Sequence, residues 1–122
     1  FGVTSDQTKN QMANAFKTFT AQNIDTSSGK ATLYTCPANT ETTIIGLNIA
    51  NILSVSITVT VELLDGGSTV THIVKDAIVP VGSSLVAVGG PQKIVMNATD
   101  VLKVYGSQAN SCDAVLSVLE IT

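Results

Sequence analysis

From residue 30 onward the chain alternates apolar and polar residues with a period of two. Val55, Ile57, Val59, Val61 and Leu63 interleave with Ser56, Thr58, Thr60 and Glu62. Successive side chains of an extended chain point to opposite faces, so this run predicts a strand with one face buried. Ile45, Leu47 and Ile49 repeat the pattern just upstream. Further strand candidates cover residues 31–36, 69–75, 84–88, 93–96, 101–105 and 114–121. Turn residues separate them: Pro37-Ala38-Asn39, Asp65-Gly66-Gly67-Ser68, Val79-Pro80-Val81-Gly82, Gly89-Gly90-Pro91 and Asn97-Ala98-Thr99-Asp100. About eight short strands with regular breaks predict an all-β antiparallel sandwich or jelly roll.

The first residues follow another period. Met12, Phe16 and Phe19 stand at i, i+4 and i+7, which places them on one face of a helix over residues 4–22. Thr4 and Gln7 fit a capping box, and Asp6 is favourable in the first turn. Asn23-Ile24-Asp25-Thr26-Ser27-Ser28-Gly29 reads as a linker. The expected organisation is a helical arm and linker over 1–29 and a sandwich domain over 30–122. All three Phe residues, Phe1, Phe16 and Phe19, lie in the arm. Such a helix is too short and polar to stand alone, so its apolar stripe must dock, either on its own sandwich or on a neighbour. Phe1, Met12, Phe16 and Phe19 are therefore the candidate assembly residues.

Composition narrows the function. Charged residues make up 12% of the 122-residue chain, about half the usual ~25%. Thr, Ser, Asn and Gly fill the deficit, and such a surface lies against another protein with little charge desolvation. The net charge is −3, and the basic residues are scattered lysines with no arginine. That argues against nucleic-acid binding, which relies on arginine and on basic runs. No apolar stretch is long enough to span a membrane. The start at Phe1 rather than Met implies that something was removed or precedes it. Type IV pilins also begin with a mature Phe, but Thr4, Ser5 and Asp6 turn polar where a pilin continues as a long apolar helix.

Candidate chemistry is sparse. His72 is the single histidine and reads as a surface residue, with no nucleophile partner suggested by spacing. No metal-ligand spacing and no phosphate loop occurs, so no cofactor, no metal and no enzymatic activity are expected. The carboxylates fall in turns or on outward strand positions, unlike the positioned pair of a glycosidase. Asn97-Ala98-Thr99 matches a glycosylation sequon and also a turn. Cys36 ends the first candidate strand and Cys112 precedes the last. Two readings stay open for them: separate reduced thiols, or a disulfide if the first and last strands pair.

The stretch from Ala31 to Thr122 carries a resemblance. It opens Ala31-Thr32-Leu33-Tyr34-Thr35-Cys36-Pro37-Ala38-Asn39, continues through Val79-Pro80-Val81-Gly82-Ser83-Ser84-Leu85, and then reads Asp100-Val101-Leu102-Lys103-Val104. It resembles the small β-sandwich virion proteins of tailed bacteriophages. There a Val-Pro-Ala turn follows the first strand, a Pro-Ala-Gly turn precedes a Leu, and a Gly-Asp-x-Leu/Ile-x-Val strand follows. This chain departs from that pattern at Cys36, Val81 and Thr99, the last standing in place of Gly. The resemblance implies a virion structural protein, foremost a capsid decoration or cement protein. It would be a homo-oligomer, with a trimer as one form, attached to the major capsid protein and located in the virion. The alternative is a receptor- or carbohydrate-binding module of a neck, tail or fibre. For that role only Tyr34 and Tyr105 are available in the sandwich, and there is no Trp.

Overall fold

The computed structural model describes residues 14–122. Nine strands form two antiparallel sheets: β1 (Asn14–Ile24), β2 (Ala31–Thr35), β3 (Glu41–Asn51), β4 (Ile57–Asp65), β5 (Thr69–Val79), β6 (Ser84–Val88), β7 (Ile94–Met96), β8 (Val101–Gly106) and β9 (Cys112–Ile121). Sheet A runs β1-β9-β3-β6, with β7 also pairing β3, and sheet B runs β2-β8-β4-β5. Consecutive strands thus alternate between sheets, apart from the β4–β5 hairpin and the β6–β7 pair. This is jelly-roll connectivity.

The alternation read from the sequence decides what is inside. Ile57, Val59 and Val61 of β4 are at most 2% exposed. They meet Leu102 and Val104 of β8 across one sheet, and Ile44, Leu47, Ile49, Leu116 and Val118 from the other. Both inner faces feed a single core, as in a two-layer sandwich. The β4–β5 hairpin closes through Gly66 and Gly67, with φ of +61° and +83°, a region only glycine enters freely.

Asp100 ties two turns together. It is 4% exposed, and its carboxylate accepts the backbone N–H of Gly66 and of Asn97, each at 2.9 Å. The preceding Thr99 holds φ of +72°. That is a strained conformation for a β-branched residue and explains why glycine suits the position.

The expected N-terminal helix is corrected where it is described. Residues 14–22 belong to strand β1, which pairs with β9 from Asn14↔Ile121 to Ala21↔Ala114, and again at Ile24↔Cys112 after a bulge. Residues 4–13, with Met12, lie outside the described residues, as does Phe1. The helical spacing of Phe16 and Phe19 does not put them on one face: three residues apart on a strand, they point to opposite faces.

Candidate assembly surface

β1 is the outer strand of sheet A and has two different faces. Inward, Phe19 sits in a row with Leu116, Leu47 and Val88. Its ring lies 4.7 Å from that of Tyr34, tilted at 55°, a favourable aromatic geometry. Next to it is a chain of polar groups, all buried except Lys17. Lys17 reaches Glu120 Oε1 at 2.8 Å. Tyr34 donates its hydroxyl proton to Glu120 Oε2 at 2.5 Å and shares a 2.8 Å hydrogen bond with Thr42. Thr42 in turn lies 3.2 Å from Cys36 Sγ. The Lys17 ammonium and the Tyr34 hydroxyl hold the Glu120 carboxyl below its usual range. Burial, then the hydrogen bond to Glu120, pushes the Tyr34 phenol up. This chain closes one end of the sandwich and fastens β1 to it.

Outward, the register builds rows across sheet A. One row is Phe16–Leu119–Thr43–Val95. Another is Thr20–Val115–Asn48–Val86. Phe16 is 77% exposed, Val86 65% and Val95 57%. The charges this face carries among the described strand residues are Glu41 at one end and Asp113 at the other. Asp113 lines an open depression of about 550 Å³ along the β1–β9 seam, with Thr20, Gln22 and Val115 at its rim. Its carboxylate accepts the backbone N–H of Asn23 at 2.9 Å. A near-neutral face with several exposed apolar side chains is the signature of a protein contact.

The outer face of sheet B differs. Glu62, Lys103 and Thr32 share a row that continues to His72. Glu62 is 3% exposed. It takes Lys30 Nζ at 3.0 and 3.2 Å on its two oxygens, and His72 Nε2 lies 3.5 Å from Oε2. Lys30 also sits 5.4 Å from the centroid of the Tyr105 ring. Lys103 forms no ion pair among the described residues.

The structure separates the two cysteines. Both are free and buried. β2 pairs with β8 rather than with the last strand, so the disulfide expected from first-and-last-strand pairing has no geometric basis. Cys36 lies beside the Glu120 end of β9, through Thr42 and Tyr34. Cys112 begins β9, and the eight residue steps between them span about 27 Å at the rise of an antiparallel strand, far beyond bonding reach. Burial raises the Cys112 thiol above its ordinary range.

Sequence reasoning placed Phe16 and Phe19 together and missed Lys17, Glu120, Asp100 and Glu62. For Lys17, Glu120 and Glu62 the signal was a charged residue at an inward or cross-strand position of a strand, and for Asp100 a carboxylate closing the turn before β8. Among the described residues no group of three or more His, Cys, Asp or Glu is placed to hold a metal ion.

No known protein family and no curated protein matches the sequence. Solved structures match the fold. One is from the disulfide-linked pili of Bacillus endospore appendages, 16% identical, covering 92% of this chain and 90% of that one, with a TM-score of 0.56. Another is from the acidic stable capsid of Helicobacter pylori bacteriophage KHP30, 12% identical, covering 89% and 87% of the two chains, with a TM-score of 0.50. The likeness is one of fold.

Proposed function

We propose that this chain is a structural subunit of a multi-copy surface assembly, and specifically a capsid decoration or cement protein of a tailed bacteriophage. The observation that carries the reading is the outer face of sheet A. It leaves Phe16, Val86, Val95, Val115 and Ile121 between 40% and 77% exposed on a face with almost no charge to desolvate. Fold likeness to a pilus and a capsid chain supports a structural role over an enzymatic one. The contact face joins β1, which carries Phe16, to the strands that carry Val86, Val95, Val115 and Ile121, with residues 1–13 leading into it. Phe1, Met12 and Phe16 make the contacts, on the major capsid protein or on other copies, while Phe19 anchors the strand that carries Phe16. The carbohydrate-binding alternative loses ground, because Tyr34 is buried at 4% exposure and Lys30 sits over the ring of Tyr105. Neither offers the open ring face on which a sugar stacks.

The test is quantitative mass spectrometry of purified particles from the source of this sequence. A copy number in the hundreds per particle is expected. Absence from particles overturns the virion reading, and a copy number of about six or twelve moves the protein to the neck or tail.

A further inference from the structure

We propose that copies of this chain stack head to tail, the outer face of sheet A of one copy lying on the outer face of sheet B of the next. The proposal rests on the structural-subunit reading above and names the partner of its exposed face as a second copy. Asp113 and Glu41 are carboxylates on face A, and the strands of that face present no lysine outward; Lys17 turns instead to Glu120. Face B carries Lys30, Lys103 and His72 around one buried carboxylate, Glu62, which Lys30 already engages, and its exposed carboxylate, Asp76, pairs with Lys75 at 3.5 Å. Lys103 is left as a cation without an ion-pair partner among the described residues, and Asp113 as the corresponding anion.

Packing face A on face A would desolvate Asp113 and Glu41 against strands that present no lysine, since Lys93 beside β7 is held on the Gly90 carbonyl, and face B on face B would oppose lysines. Both arrangements are costly. Only the mixed contact pairs the signs, with Lys103 entering the depression whose rim is Thr20, Gln22 and Val115. Apolar surface is present on both sides: Phe16 and Val86 on face A, and Ile78, 70% exposed, with Val70, 43% exposed, on face B. A contact between two different faces does not close on itself by symmetry, so it extends into a ring or a filament. The four strands of sheet B average about eight residues, which gives a face of roughly 500 Å² per copy, at the low end for a specific contact, so association is weak between isolated copies.

The experiment is sedimentation velocity on the full chain up to about 1 mM, a range suited to an interface of that size. The wild type is expected to self-associate, and more weakly as salt rises. D113K and K103E should each weaken association about tenfold or more, a loss of ~1.4 kcal/mol or more. The double variant D113K/K103E should recover it, and so should an equimolar mixture of the two single variants, by forming alternating chains. Far-UV circular dichroism and melting check that each variant folds. D113N and K103Q give a milder weakening if the reversals disturb Asn23 or Glu62. A monomeric wild type overturns the proposal, and so does a K103E protein that associates as the wild type does. Association lost in D113K but not recovered in the double variant or the mixture overturns it too. None of these results touches the particle copy number, so stacking can fail while the structural-subunit reading stands.

Discussion

Phe16 and Phe19 lie on one strand, three residues apart, and live in different physical worlds. Phe19 is covered by Tyr34 and aligned with Leu116, Leu47 and Val88, while Phe16 is 77% exposed beside Leu119. The same contrast runs through the whole of sheet A: its inner face holds the domain together, and its outer face is apolar beyond what folding requires. A residue's face therefore decides whether changing it alters stability or association.

The largest test of that contrast uses neighbours on β9. Leu116 is 0% exposed and Val115 45%. Leu116→Asp should bury an unpaired carboxylate, destabilise by more than about 4 kcal/mol and yield no folded protein. Val115→Asp should melt within a few degrees of the wild type yet fail to associate or to bind particles. Soluble expression and thermal melting separate the two outcomes, and similar melting for both variants would show that the faces are wrongly assigned.

The aromatic pair is the next step down. Phe19→Ala should cost about 2–3 kcal/mol, below the full range for a buried Phe because Phe19 is only partly covered. Phe16→Ala should change stability by less than about 0.5 kcal/mol and weaken assembly instead. Urea titration gives the first quantity, and sedimentation or particle binding the second.

The inner face also carries a pH dependence. Lys17 and Tyr34 hold the folded Glu120 carboxyl below its usual value. Its contribution is therefore complete above the unfolded value of about 4.3 and is lost as the pH falls through the lower, folded one. Glu120→Gln should be less stable at pH 7, with a flatter loss of stability on acidification. Melting curves between about pH 7 and 2.5, spanning that titration, check this. A variant with an unchanged acid limb would remove Glu120 from the account.

The smallest effect should be a gain, away from both faces. Thr99→Gly relieves the left-handed strain at φ +72° and should add about 1 kcal/mol, measured by denaturant unfolding. It also gives a sturdier background for the charge-reversal variants.

Much of the sandwich was legible because alternation and turn chemistry agree. Ile57 and Val59 are inside as the run from 55 to 63 predicts, although β4 starts at Ile57 and Val55 is 47% exposed. Ser84–Val88 is a strand with the boundaries read from the sequence. The first strand was not legible, for a definite reason. Its inward positions are Ala15, Lys17, Phe19 and Ala21, and a lysine among them breaks the period-two signal. Lys17 tolerates that position because it lies at a sheet edge and reaches Glu120. Two Phe residues and a Met then happened to fit a helix. Thr18 and Thr20, β-branched residues that favour strands, were the available counter-signal. The cysteine pairing failed with it, since β1, unrecognised as the first strand, is the one that pairs with β9. Of the assembly surface, only Phe16 was readable; the rows around it exist only once the register is known.

The two buried thiols, at opposite ends of β9, make the chain its own reporter of local opening. A thiol reacts only when exposed as thiolate, so each cysteine stays silent until its end of the sandwich opens. Timed alkylation read out by peptide mass would then register separately the fraying of the Tyr34–Glu120 end, through Cys36, and of the Ile24–Asn51 end, through Cys112. An assembled particle that slows one clock and leaves the other running would reveal which end of the subunit its neighbours clamp.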